Sequence, residues 1–277
     1  MEFKLKLFLR ECALFAPTMA LGLFAAYRML VLNPGMPALK APAFSLADIT
    51  LLAAIVALFL AGLRFGRFGR LILLFFFFLI VWAGAEAVFE TFVPVPIDLV
   101  LSVGCLVLFA AWRSVLVHDL VVGIALAGLG AAIGISIMPS FALVALIVLS
   151  FYDIIAVYQT GHMVRMAQGM IQSGVIFGFL IPEETKLFLA PRRQAHDQIG
   201  AEFMILGSGD IALPIVFAAS IARESIVRAG IVAGFAVIGI FVTHVLFINQ
   251  RQRRAMAALP PIATLSIIGY VLTILFF

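Results

Sequence analysis

An all-α polytopic membrane protein with nine transmembrane helices is the fold class this sequence predicts, on three observations. Of 277 residues, 65% are hydrophobic and 12% charged, whereas ordinary globular chains are about 45–50% apolar and about 25% charged. Apolar runs of about 17–25 residues, the length that crosses a bilayer, recur along the chain. Basic residues gather in alternate connections, as the positive-inside rule requires. The net charge of +4 is therefore a matter of topology, and no nucleic-acid partner is expected. Cys12 and Cys105 both lie in apolar runs. They imply no disulfide framework and no metal site, and no cofactor is expected.

The predicted spans are residues 11–32, 46–63, 71–92, 97–112, 119–137, 139–160, 201–222, 229–249 and 259–277. The basic start MEFKLKLFLR reads as the flank of a retained first span, with no cleavable signal. Span three carries Phe75 to Phe78, a lipid-facing or packing surface. Span four is short, with Pro96 and Asp98 at its start. Lys4, Lys6 and Arg10 precede span one, and Arg64, Arg67 and Arg70 join spans two and three. Arg113 follows span four, and Arg165, Lys186, Arg192 and Arg193 lie between spans six and seven. Arg251, Arg253 and Arg254 lie between spans eight and nine. The opposite connections hold only Arg28, Lys40, Arg223 and Arg228. The N-terminus is thus expected in the cytoplasm and the C-terminus outside it.

The chain then divides into spans one to six over 1–160, a cytoplasmic loop over 161–200, and spans seven to nine over 201–277. The loop contains GMIQSGVIFGFLI, about 13 residues and too short to span, which reads as interfacial or re-entrant. A polar, Pro-bounded tail follows, in which Lys186 to Ala190 is expected to form a short extended segment. Compact loops and short termini suggest a microbial source.

Two acids stand out. Asp153 lies inside FALVALIVLSFYDIIAVYQT on span six, where an Asp costs roughly 2.5–3.5 kcal/mol on insertion scales. Asp210 lies inside AEFMILGSGDIALPIVFAAS on span seven. Asp153 is about seven residues from the inner end of its span and Asp210 about nine from that of its own, so at about 1.5 Å per residue their depths agree within a few Å. Gly207 and Gly209 loosen the backbone before Asp210. Pro214 removes the usual helical donor to the Asp210 carbonyl. Irregular backbone at membrane depth is tolerated where it lines a wet cavity or is buried in protein, so water is expected here. Two carboxyl groups at such a place share a proton. One deprotonates a water that attacks a peptide carbonyl; the other hydrogen-bonds that carbonyl and later protonates the amine. The pair titrates as a unit, so neither role is assigned to one Asp.

At these residues the chain resembles the presenilin-type intramembrane aspartyl proteases. Tyr152–Asp153 matches their YD motif and Gly207-Ser208-Gly209-Asp210 their GxGD motif. Their PAL motif is approximated by Ala257-Ala258-Leu259-Pro260, where Ala257 replaces the leading proline and Pro260–Pro261 follows. The motif resemblance covers about 139–277; the first half matches in span count. Nine spans with a cytoplasmic N-terminus look like presenilin rather than signal peptide peptidase, which has the opposite orientation. The resemblance implies a presenilin-like, horseshoe-shaped bundle whose dyad, Asp153 and Asp210, opens toward the cytoplasm. It implies that Tyr152, Gly207, Ser208 and Gly209 support the dyad and that Ala258, Leu259 and Pro260 bind substrate. The substrates it implies are transmembrane helices of other proteins, met in the lipid bilayer and unwound before cleavage. The 161–200 loop would also engage them, and strand addition would satisfy an unwound backbone.

Other readings compete. The same carboxylates suit a proton-coupled transporter or an ion-leak pathway, although no repeat pairs spans one to four with six to nine. Tyr152 also suits plain packing, and Gly207 and Gly209 close helix contact. Ser208 reads as a small spacer. Glu86 and Glu90 read as interfacial, with Glu86 near Arg28. The histidines form no HExxH, so a zinc protease finds no support. No serine motif has a plausible histidine partner, and the cysteine clusters of prepilin peptidases are missing.

Overall fold

The computed structural model describes residues 4–35, 66–160, 176–200, 202–250 and 256–276. Predicted span two and the 161–175 part of the loop lie outside the described residues. The described helices in chain order are α1 (Leu5–Leu32), α2 (Gly66–Phe89), α3 (Ile97–Ala111), α4 (Val115–Ser136), α5 (Pro139–Ile154), α6 (Arg192–Asp197), α7 (Ser208–Ala222), α8 (Ile226–Ile248) and α9 (Leu259–Phe276). Among the described residues, six stretches are long and apolar enough to cross a membrane: Leu5–Leu32, Leu71–Phe89, Val115–Ser136, Pro139–Gln159, Ile226–Ile248 and Leu259–Phe276. Helices α3 and α7 are apolar but shorter.

Helix α4 is the centre, packed against α1, α2 and α7. Its small residues allow this, as in membrane bundles generally. At the crossing with α2, Gly128 faces the backbone of Gly84 so closely that a Cβ on either would enter the other helix. Helices α8 and α9 form a hairpin, and α5 sits between α7 and α9.

Two helix starts differ from expectation. Helix α1 begins at Leu5 rather than 11, because LKLFLR is apolar enough on one face to continue the helix, with Leu7 buried. Helix α7 begins at Ser208 rather than 201, because residues 203–207 belong to a strand. That strand, β2 (Phe203–Gly207), pairs antiparallel with β1 (Gly178–Pro182), Gly178 facing Gly207 and Pro182 facing Phe203. The end of GMIQSGVIFGFLI, expected to be interfacial or re-entrant, is therefore a strand that begins at Gly178. The expected extended segment at Lys186 to Ala190 is corrected as well. Thr185–Leu189 is a 3-10 turn, since the strand pairing of β2 is already taken by β1. Gly178 is required at its position. Its φ is +150°, and a Cβ there would run into the Leu206 carbonyl oxygen.

Side-chain contacts sort the connections into two ends of the bundle. At one end Lys4 pairs with Glu183 at 3.3 Å, Arg10 bonds the Thr185 hydroxyl at 3.0 Å, and the Arg192 N–H donates to the Arg113 carbonyl at 2.7 Å. At the other end Arg28 donates to the Thr91 carbonyl at 3.1 and 3.2 Å, and Arg223 donates to the Ile135 carbonyl. The expected neighbour of Arg28, Glu86, is not its partner among the described residues; the Thr91 carbonyl, left free where α2 ends, takes the guanidinium instead.

Candidate active site

Asp153 is the next-to-last residue of α5, and the backbone then widens into a π-helical turn over Ile155–Gln159. Such turns are rare and often sit at functional positions. Asp153 is 5% exposed, while its neighbour Tyr152 is 56% exposed. The structure thus turns the carboxyl group inward and the phenol ring outward, and no contact brings Tyr152 to Asp210. Asp153 Oδ2 accepts the Leu259 N–H at 3.3 Å. Its Oδ1 is buried without a hydrogen-bond partner among the described residues.

Asp210 lies in the first turn of α7 and is 7% exposed. It is therefore closer to the helix start than a span beginning at 201 implied. The Asp210 carboxyl group stands against the backbone of Gly207, and the two aspartates lie within electrostatic reach of each other. A Cβ on Gly207 would stand 3.1 Å from Asp210 Oδ2, whereas one on Gly209 would meet nothing within 4 Å. Of the two glycines, only Gly207 is held to its identity by the carboxyl group. Ser208 donates its N–H to the Phe177 carbonyl at 3.2 Å, extending the hairpin to the foot of α7.

The Ala258, Leu259 and Pro260 segment meets Asp153 through backbone. Leu259, at the start of α9, is buried, and its N–H is one of the groups that the first turn of a helix leaves unpaired. The Asp153 carboxylate supplies the missing acceptor. The Ala258 carbonyl lies 3.4 Å from the Thr243 hydroxyl, which also bonds the Gly239 carbonyl at 2.9 Å. The segment is thus held between α5 and α8.

Two buried polar pairs escaped the sequence reading. Glu11 Oε2 lies 2.7 Å from His244 Nδ1, joining α1 to α8. His118 and Asp119 open α4, 2% and 1% exposed, and both bond β1. The signal was present, because an ionisable group inside an apolar run calls for a partner. Glu11, His118 and Asp119 fall at the starts of predicted spans, where such groups look interfacial, while His244 lies inside span eight.

Apolar membrane-crossing helices packed around a pair of buried aspartates define a multi-pass membrane protein with an acid pair in its interior. Over residues 28–277 the chain matches the family described as signal-peptide peptidase, presenilin aspartyl protease. The chain belongs to that family, and it is an aspartic endopeptidase of the membrane-embedded kind. No curated protein matches it significantly. Two solved structures share its fold, both of a presenilin family intramembrane aspartate protease. The one in space group C222 has TM-score 0.58 at 21% identity, covering 93% of this chain and 94% of that one. The one in P2 has TM-score 0.61 at 22% identity, covering 95% and 97%.

Proposed function

We propose that this chain cleaves peptide bonds within transmembrane helices of other membrane proteins, with Asp153 and Asp210 activating the attacking water. The observation that carries the reading is the burial of both carboxyl groups within electrostatic reach on adjacent helices of a family member. The chemistry follows from the pair. One ionised carboxylate removes a proton from water, and the hydroxide attacks the carbonyl carbon. The protonated partner donates to the carbonyl oxygen and then gives a proton to the leaving amine. Nine spans with the N-terminus in the cytoplasm complete the proposal, because the basic residues alternate by connection.

Gly207 supports this reading by leaving room for Asp210, and Leu259 by holding Asp153 through its N–H. Gly209 and Ser208 keep the chain narrow at the foot of α7, Tyr152 faces the outer side of α5, and Ala258 and Pro260 flank Leu259 where an unwound substrate would lie. The N–H and C=O of Ile205 on β2 face away from β1, given the pairing register, and find no partner among the described residues. That edge suits strand addition. Asp153→Ala and Asp210→Ala should each abolish cleavage of a single-span substrate while the protein still folds. Activity retained in either variant ends the proposal.

A further inference from the structure

Asp119 is one of the buried acids that the mechanism above leaves unused. It is 1% exposed at the start of α4. Its Oδ1 accepts the Leu180 N–H at 2.8 Å, and its Oδ2 has no hydrogen-bond partner among the described residues. Beside it, His118 Nε2 lies 3.1 Å from the Gly178 carbonyl. The His118 ring packs against Phe77, nearly parallel at 6.3 Å, and Phe109 at 5.7 Å, two rings that also touch each other at 4.9 Å.

Strand geometry gives these contacts a direction. Successive residues of a strand point their backbone groups to opposite edges. Gly178 and Leu180 point away from β2, so His118 and Asp119 occupy the outer edge of β1. Pro182 on that edge has no N–H, and Arg10 bonds its carbonyl at 3.3 Å. The outer edge of β1 is thereby tied to α4 and α1 along its length. The inner edge carries β2, and Gly207 at the end of β2 stands against the carboxyl group of Asp210. One short path therefore runs from Asp119 through Leu180 and the β1–β2 pairing to Gly207 and the carboxyl group of Asp210.

We infer that Asp119, assisted by His118, is a positioning residue for proteolysis: it fixes the register and depth of the β1–β2 hairpin, and through it the place where a substrate backbone is presented to the aspartate pair. The inference rests on the protease reading of Asp153 and Asp210. A single backbone N–H needs only one acceptor, which a neutral side chain would supply. An acid in an apolar interior is costly to bury, and its bond to the Leu180 N–H ties the outer edge of β1 to the start of α4. The function served is rigidity of the strand rather than mere satisfaction of one amide.

The test uses the purified full chain and a single-span substrate, with kcat and KM measured separately and product masses giving the bonds cut. Asp119→Ala should lower kcat by roughly 10²-fold, the scale of a ~1 Å misplacement, with KM little changed. It should also spread cleavage over neighbouring bonds. Asp119→Asn, which keeps an acceptor for Leu180, should restore the wild-type product masses. His118→Phe, which keeps a ring against Phe77 and Phe109, should spread the products without unfolding the chain. Hydrogen exchange at the Leu180 amide should quicken in Asp119→Ala and recover in Asp119→Asn. Wild-type kcat and product masses in Asp119→Ala and His118→Phe would overturn the inference. So would an activity loss that follows the folded fraction alone, or a Leu180 amide whose exchange ignores residue 119. A wild-type chain that cuts nothing would sink the protease reading, while the Leu180 exchange would still decide whether the clamp exists.

Discussion

Gly207 is where a single methyl group should change activity without changing the fold. Its added Cβ would meet only Asp210, at 3.1 Å from Oδ2 and 3.8 Å from Cγ. Gly207→Ala should therefore leave thermal stability near wild type and lower kcat ~10-fold by displacing the carboxyl group a few tenths of an ångström; Gly209→Ala should do neither. Separate kcat and melting measurements check this, and equal effects at both glycines would contradict it. Asp153 and Asp210 were legible in the sequence because an acid inside an apolar run is costly and needs a reason. Asp119 and Glu11 obey the same rule and were passed over. A hydropathy window starts at the first residue after a charge, so it turns such acids into boundaries. The helices in fact begin four and six residues earlier, at Val115 and Leu5, which carries both acids into the interior.

Among elements, the hairpin was the least legible. GFLIP and FMILG are short apolar runs, and periodicity cannot separate a buried strand from a piece of helix at that length. What makes them strands is each other, across an intervening turn and short helix. The cue was Gly178, whose φ of +150° and contact with Leu206 exclude a side chain. Gly178→Ala should break the pairing and cost most of the activity while the membrane helices persist, read as lost cleavage with unchanged helical circular dichroism. The α1–α8 contact makes a different prediction. Glu11 and His244 are buried together at 2.7 Å, and leaving a buried polar group without its hydrogen-bond partner costs about 1–3 kcal/mol. His244→Ala should destabilise on that scale, and Glu11→Gln, which keeps a hydrogen bond, by less. Denaturation in detergent measures both; an unaltered His244→Ala would show that the pair holds nothing.

At the scale of the whole molecule, alternation of basic residues anticipated the sorting of connections. Lys4, Arg10, Arg113, Glu183 and Arg192 gather at one end, and Arg28, Thr91, Ile135 and Arg223 at the other. The sequence carried this because each basic side chain is costly in lipid and marks its own connection as outside the hydrocarbon. It did not carry the packing order, with α4 at the centre, because that depends on small residues whose partners are distant in the chain. In cysteine-free protein, single cysteines at Lys186 and at Arg228 should be labelled by an impermeant reagent from opposite faces of the membrane, Lys186 from the cytoplasmic one. The central claim is that Asp153 and Asp210 together cut a peptide bond inside a membrane helix. Its most direct measurement is the product masses from a purified single-span substrate incubated with wild type, Asp153→Asn and Asp210→Asn. The account predicts a cut within the apolar segment by wild type and no product from either variant. The same products from either variant, or cuts confined to the polar flanks, would contradict it.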